Sequence, residues 1–143
     1  AFDYSNPSSI TKEKFNELIG NTGVNYLGFK NEIIKEITDA DVVVLPSYRE
    51  GLPRSLLEGL SIGRPIIASN VAGCIDLLQN NINGYLCNVK DINDLTDKIK
   101  KIIKLSHKER YLMGLNGRRL VEKKYDEKIV INMYEQGIKS IIG

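Results

Sequence analysis

The fold of this chain follows from residues 45–70, LPSYREGLPRSLLEGLSIGRPIIASN, and from the aliphatic residues just before them. The run Asp41–Leu45 is typical of a parallel strand that is covered on both faces. A polar turn follows, and leucines at helical spacing then predict a helix over Pro53–Ile62. The apolar residues Pro65–Ser69 predict the next strand. This order places the turn at the carboxyl end of a parallel sheet, where such folds bind ligands.

The rest of the chain continues this alternation and then becomes helical. We expect further helices over residues 12–19, 31–39 and 71–79, and strands over residues 24–29 and 84–88. Three more helices are predicted behind caps at Asp91, Ser106 and Asp126. Two apolar groups are expected to be buried: Ile33, Ile34 and Ile37, and Ile129, Val130, Met133, Ile138 and Ile141. The predicted fold class is α/β, a Rossmann-like parallel sheet flanked by helices. Residues 1–143 would form one partial domain, and residues 91–143 its helical C-terminal portion.

Composition excludes several classes of protein. The 143 residues carry 18 acidic and 20 basic side chains, without the basic stripe and interleaved aromatic residues that indicate nucleic-acid binding. Neither a long apolar run nor a signal peptide is present, so we expect a cytoplasmic location. Cys74 and Cys87 are too few for a disulfide framework or a zinc site, and we expect buried free thiols. The chain begins at Ala1 without a methionine, which indicates a piece of a longer protein.

The start of the central helix has the chemistry of an anion site. Proline at the first helical position, here Pro53, is favourable because its missing N–H would be unpaired there anyway. Leu52 has no side-chain acceptor to cap the helix, so the amides of Arg54, Ser55 and Leu56 begin without a local partner. Such amides, together with the helix dipole, favour a phosphate. Arg54 would add a positive charge, and Ser55 a hydroxyl.

Two carboxylates flank this helix start. Glu50 lies just before it, and Glu58 lies about 7–8 Å along the helix axis. A carboxylate repels phosphate but accepts hydrogen bonds from hydroxyl groups, so the pair suits a diphosphate that carries hydroxyls at both ends, as a sugar nucleotide does. The alternative is structural, with Glu50 in an exposed turn and Glu58 on a solvated helix face. Tyr48 and Arg49 lie in the same turn and are equally open to either interpretation.

The stretch PSYREGLPRSLLEGLSIGRPIIAS, residues 46–69, resembles the E-x7-E signature of the retaining glycosyltransferases of family 4, which have the GT-B fold. The likeness extends upstream through VNYLGF and ITDADVVVLPS and downstream through AGCIDLL and NGYLC. It therefore covers most of the chain. The EGLPRSLLE variant is most similar to members that extend bacterial surface polysaccharides or lipid-linked oligosaccharides.

The resemblance implies a role for each site residue. Glu50 would be the catalytic residue, close to the donor sugar, and Glu58 would hold the ribose hydroxyls. The turn Gly51, Leu52 and Pro53, with the amides of Arg54 and Ser55, would bind the diphosphate or the sugar. Members of this family retain the anomeric configuration and need no metal for catalysis, so neither a cofactor nor a metal is expected.

The sequence departs from the family pattern at several points. Pro53 stands where many members have glycine, Gly59 where alanine is usual, and Asp76 where a glutamate is common. No segment matches the family's Arg/Lys pair that neutralises the diphosphate, or its acceptor-binding N-terminal domain. The first strand pair of the nucleotide domain also has no match, so the predicted strand Val24–Phe29 would lose its neighbour. Self-association of the chain would be one way to replace it.

The resemblance implies the donor-binding part of a hexosyltransferase that uses a nucleotide sugar, with UDP as the expected nucleotide, and a glycan or lipid-linked acceptor. Two alternatives remain open: a non-catalytic nucleotide-binding or assembly module, and a sugar-nucleotide epimerase of the same fold. The lysines at positions 98, 100, 101 and 104 are most simply a solvated helix face. Their alternative role is contact with anionic lipid, with peripheral attachment to the inner membrane face.

Overall fold

The structure, a computed structural model, describes residues 9–20 and 22–142. Contacts divide the chain into two compact units, with the boundary between Ile33 and Ile34. The first unit contains helix α1 (Lys12–Ile19), and the Thr11 side chain caps it by accepting from the Lys14 amide. The remaining elements belong to the second unit: α2 (Ile34–Asp39), β1 (Val43–Leu45), α3 (Arg54–Ile62), β2 (Ile66–Ser69), α4 (Ala72–Ile75), β3 (Gly84–Cys87), α5 (Ile92–Lys104), α6 (His107–Lys124) and α7 (Glu127–Ile142).

The three strands form one parallel sheet in the order β1-β2-β3. In register, Val43 pairs with Ile66 and Ile66 pairs with Gly84. All four residues of the central strand β2 are buried. Three helices, α5 to α7, follow the sheet. The structure therefore confirms the predicted Rossmann-like parallel sheet with a helical C-terminal portion.

The two faces of the sheet carry separate apolar clusters, because successive side chains of a strand point to opposite faces. On one face Ile66 and Ala68 pack with Leu56 and Leu60 of α3. On the other face Ile67 packs in a cluster to which α5 and α6 contribute. Glycines let α6 approach α3 closely: a Cβ at Gly114 would lie 1.8 Å from the Gly63 carbonyl oxygen. Helices thus pack against both faces of β2, and the sheet positions the loops that follow the carboxyl ends of its strands.

The predicted strand Val24–Phe29 is wrong. These residues form neither strand nor helix, and Gly28 adopts a positive φ of 71°. A strand needs a neighbour for its N–H and C=O groups, and among the described residues only β1, β2 and β3 pair as strands. The ring of Tyr26 instead meets the ring of Phe15 edge to face, with 4.8 Å between the centroids.

Two helices are shorter than predicted. Helix α2 begins at Ile34 instead of residue 31. Of the three isoleucines that were predicted to be buried here, only Ile37 is buried. Helix α4 ends at Ile75 instead of residue 79. The amides of Leu77 and Leu78 still bond to the Cys74 carbonyl, and a side chain satisfies groups in the turn that follows. The buried Asn83 accepts from the Gln79 amide at 2.8 Å and donates to the Leu77 carbonyl at 2.9 Å.

The predicted burial of the last helix is also wrong. None of the described residues of α7 is buried, and Met133 and Ile138 are more than half exposed. The prediction that β1 is covered on both faces is wrong for the same reason, since Val44 is 41% exposed. Helical or strand periodicity identifies an apolar face, but it does not say whether another element covers that face.

Candidate active site

The candidate site lies at the carboxyl edge of the sheet. Because the three strands are parallel, the loops that follow them reach the same edge. The loop after β1 spans residues 46–53 and carries Glu50. The loop after β2 leads into α4 at Asn70 and Val71, and the loop after β3 spans residues 88–91. The site residues predicted from the sequence therefore share one edge with residues from two further loops.

The start of α3 is uncapped by any side chain among the described residues. Pro53 is the N-cap and not the first helical residue as predicted, since its ψ of 117° is extended. Its carbonyl accepts from the amides of Leu56 and Leu57, at 3.1 and 3.2 Å. The amides of Arg54 and Ser55 precede these bonds and point along the helix axis towards the loop. This is the geometry in which a helix N-terminus binds an anion.

The two glutamates lie on either side of this helix start, as the sequence predicted. Both side chains are partly buried. Oε1 of Glu58 lies 3.8 Å from Nη2 of Arg54, one helical turn earlier, and the Arg54 side chain is 91% exposed. An exposed ion pair of this kind contributes little to the stability of the fold. Arg54 is therefore free to turn towards an anion at the helix start, which leaves the Glu58 carboxylate available as a hydrogen-bond acceptor.

The loop that carries Glu50 is fixed by the loop after β2. A Cβ placed on Gly73 would lie 1.6 Å from the Gly51 carbonyl oxygen and 3.0 Å from that of Glu50. Only glycine leaves room for the backbone of Glu50 and Gly51 to pack against α4. This glycine stands in the AGCID segment, and its partner was not apparent from the sequence.

Glu50 also acts electrostatically on α4. Burial raises the pKa of the Cys74 thiol, and the negative charge of Glu50 raises it further. Burial likewise raises the pKa of Cys87, although a hydrogen bond with Ser69 opposes that rise. Both cysteines are buried and free, as predicted. Leu52 and Gly51 are exposed, whereas Ser55 is partly buried.

Sequence reasoning missed a cavity at this edge, here called the edge cavity. It has a volume of about 200 Å³ and is lined by residues of the loops after β1 and β3 and by the last residue of β2: Pro46, Tyr48, Ser69, Asn88, Lys90 and Asp91. The Lys90 ammonium lies over the ring of Tyr48, 5.4 Å from its centroid. Tyr48 was singled out in the sequence, but Lys90 is 42 positions away from it, and no local pattern connects them.

Other kinds of site find no support among the described residues. No group of three or more His, Cys, Asp or Glu side chains is arranged to hold a metal ion. Within the same residues, no helix has both the length and the apolar character that crossing a membrane requires.

Comparison with known proteins gives a family. The family described as "Glycosyl transferases group 1" matches residues 9–120. An α-1,3-N-acetylgalactosaminyltransferase of Campylobacter jejuni, named for N,N'-diacetylbacillosaminyl-diphospho-undecaprenol, is 31% identical over 87% of this chain and 34% of its own length. A UDP-Gal:α-D-GlcNAc-diphosphoundecaprenol α-1,3-galactosyltransferase of Escherichia coli is 33% identical over 68% of this chain and 27% of its own length. The chain thus spans about a third or less of the length of these relatives.

A solved structure agrees on the fold. HepE of Anabaena, determined in complex with UDP, aligns with a TM-score of 0.83 over 90% of this chain and 36% of its own, at 20% sequence identity.

Proposed function

Because the chain belongs to the group 1 glycosyl transferases, we propose that it is the donor-binding part of a retaining hexosyltransferase. The complete enzyme would move a sugar from a nucleotide diphosphate, UDP in particular, to a glycan or lipid-linked acceptor. One observation carries this proposal: the uncapped start of α3 at the carboxyl edge, between two partly buried glutamates.

The diphosphate would bind at the start of α3. The amides of Arg54 and Ser55 supply donors, and the helix dipole favours the negative charge. As the bond between sugar and diphosphate breaks, more negative charge develops on the leaving phosphate. Dipoles that already point at this position stabilise that charge without reorganising. Arg54 would leave Glu58 and add its own charge.

The glutamates would orient the two ends of the donor. Glu50 would accept hydrogen bonds from hydroxyls of the donor sugar, and Glu58 from those of the ribose. Retention of configuration follows if the acceptor attacks on the face that the leaving group departs from. In that reaction the oxygen of the leaving diphosphate takes the acceptor proton. The acceptor hydroxyl forms the new bond as the old one breaks, so no base is required from this chain.

UDP and a lipid-linked acceptor are supported by the names of the relatives. The Escherichia coli relative is named for UDP-Gal, and both relatives are named for acceptors on diphospho-undecaprenol. An enzyme with such an acceptor works at a membrane surface, so we propose a cytoplasmic protein attached peripherally to the inner face of the membrane. Sedimentation of the complete enzyme with anionic vesicles tests this, and an enzyme that stays in solution at low salt would count against it.

Calorimetric titration with UDP and kinetics of the complete enzyme test the donor site. Replacing Glu58 with alanine is expected to weaken UDP binding about tenfold, the scale of one hydrogen bond to a charged group. Glu50→Ala is expected to lower kcat about a hundredfold or more while UDP still binds. Glu122→Ala is the matched control, since Glu122 forms an equivalent helical pair with Arg118 far along α6. Wild-type kinetics in both test variants would refute the proposal.

The exposed apolar face of α7 favours a second candidate, a non-catalytic assembly module. This candidate predicts UDP binding or self-association without sugar transfer by the complete protein. Product analysis with and without acceptor separates the two candidates, because only a transferase forms a glycoside. The same analysis would detect an epimerase, which releases an altered sugar without acceptor.

A further inference from the structure

We propose that a basic cleft at the amino edge of the sheet, here called the basal cleft, binds the phosphate group of a small phosphate monoester. The cleft includes Gly63, Arg64 and Pro65, which directly precede β2. The candidate donor site lies at the opposite edge, where the strands end. The basal cleft is therefore a separate site, and this inference goes beyond the proposed function.

Two adjoining cavities form the basal cleft. The larger has a volume of about 330 Å³, and the smaller has a volume of about 60 Å³. Gly63, Arg64 and Tyr111 line both of them, so the Arg64 side chain borders both spaces. Pockets for small organic ligands start at roughly 300 Å³. The larger cavity thus has room for a compact organic molecule, with its phosphate beside Arg64.

The charges around the cleft favour an anion. The lining residues include three arginines, Arg64, Arg110 and Arg118, and one acidic residue, Asp41. With His107 counted as neutral, three positive charges against one negative charge leave a net charge of +2. A planar guanidinium can donate parallel hydrogen bonds to a phosphate, so arginine is well suited to bind this group.

Two of these arginines are held in place by hydrogen bonds to the backbone. Arg64 donates from Nη2 to the Thr38 carbonyl oxygen. Arg110 donates from Nη1 to the Leu105 carbonyl oxygen at the end of α5. Each guanidinium has further N–H groups that these bonds do not use. Side chains that are fixed in advance lose less rotational freedom when a ligand binds, which favours binding.

Arg64 also carries a donor without an acceptor. Its Nε atom is buried and has no hydrogen-bond partner among the residues that the structure describes. Leaving a buried donor unpaired is destabilising, and such groups are rare in folded proteins. A phosphate oxygen beside Arg64 would supply the missing acceptor. This donor therefore favours a ligand with strong acceptor oxygens over an apolar one.

The larger cavity also offers an apolar surface. Ile62, Tyr111 and Leu115 line it, and Tyr111 is 61% exposed. Binding sites for small molecules generally pair apolar walls with a few polar groups that fix the orientation of the ligand. An inorganic phosphate ion would leave these apolar side chains uncovered. The organic part of a monoester would cover them, and the burial of apolar surface would add to the affinity.

Calorimetric titration of the complete enzyme with phenyl phosphate, and separately with inorganic phosphate, tests this site. Saturating UDP is present in both titrations, so that the start of α3 is already occupied. Phenyl phosphate is expected to bind about fivefold more tightly than inorganic phosphate, because its ring buries apolar surface. Equal affinities would overturn the assignment to a monoester, and no binding of either anion would overturn the site. An enzyme that does not bind UDP would instead refute the proposed function, and the variants would still locate the bound phenyl phosphate.

Two variants change the charges that line the basal cleft. Arg118→Ala removes an exposed side chain and is expected to weaken the binding of phenyl phosphate about fivefold, the scale of one hydrogen bond. Asp41→Asn removes the negative charge that repels an anion, and it is expected to tighten binding about threefold. A damaged fold would not produce such a gain, so this variant separates a change at the site from a loss of structure.

Arg119→Ala is the matched control. Arg119 is the next residue of α6 and is exposed like Arg118, but it lines neither cavity of the basal cleft. The control is expected to change the affinity for phenyl phosphate by less than about twofold. Equal losses in Arg118→Ala and Arg119→Ala would overturn the site, since they would indicate attraction to the general surface charge. Unchanged affinity in both Arg118→Ala and Asp41→Asn would overturn it as well.

Discussion

Replacing Gly73 with alanine tests how the catalytic loop is positioned. The new Cβ would lie 1.6 Å from the Gly51 carbonyl oxygen and 2.3 Å from its carbon. Ordinary contacts of carbon with a carbonyl oxygen are about 3.3 Å or longer, so the loop must retreat by more than about 1.5 Å. Both atoms belong to the backbone, and no side-chain rotation relieves the clash. Glu50 would move with the loop.

This displacement has two measurable consequences. Overpacking costs about 1–3 kcal/mol in the free energy of unfolding. A shift of about 1 Å in a catalytic group can lower the rate about a hundredfold. We therefore expect Gly73→Ala to lower both Tm, followed by circular dichroism, and kcat/KM of the complete enzyme, measured at a temperature where the variant remains folded.

Gly114→Ala separates these two effects. The Cβ at this position would lie 1.8 Å from the Gly63 carbonyl oxygen, which is a clash of the same kind between α6 and the end of α3. It should lower Tm by a similar amount and leave kcat/KM of the complete enzyme much closer to that of the wild type. The reasoning is refuted if Gly73→Ala retains wild-type Tm and kcat/KM, or if Gly114→Ala loses as much kcat/KM as Gly73→Ala does.

Three further predictions follow from the rest of the structure. Ser106→Ala removes the capping box of α6 and should cost about 1 kcal/mol by denaturant titration. Hydrogen bonds from Ser106 to the carboxylate hold the pKa of Glu109 below its ordinary value, so the part of this stabilisation that depends on the carboxylate is lost as the pH falls through the folded-state pKa, and the difference between the two proteins should narrow in acid. Cys74 and Cys87 should not react with a thiol reagent until denaturant is added, because both are buried and burial raises the pKa of each; reaction in the folded chain would contradict this. Ile138→Glu and Met133→Glu should reduce self-association of the 143-residue chain in sedimentation without lowering Tm, whereas a large fall in Tm would show that α7 packs against the core.

Sequence reasoning was most successful where local rules decide the structure. The predicted caps at Asp91 and Ser106 are both present, and each depends only on a contact within a few residues. The strands β2 and β3 were also found, since an apolar run bounded by turn residues has few alternatives. The uncapped start of α3 belongs to the same class, because it depends only on Leu52 and Pro53 having no suitable side chain.

The errors arose where burial depends on distant residues. The isoleucines of α2 and the apolar face of α7 have the same spacing as buried helices, yet most of them are exposed. The segment Val24–Phe29 has the composition of a strand but forms none. In each case the chain supplies an apolar face, and only a neighbouring element can bury it or pair with it.

The sequence by itself determined the parallel α/β class, the order of its central elements and the pair of glutamates around an uncapped helix start. These depend on periodicity and on which residues can cap a helix, and both are local properties. Only the tertiary structure showed that Gly73 holds the loop of Glu50, and that Lys90 lies over Tyr48 beside a cavity. The physical reason is that parallel strands bring loops from distant parts of the chain to one edge, and the spacing of residues along the chain does not record which of them will meet there.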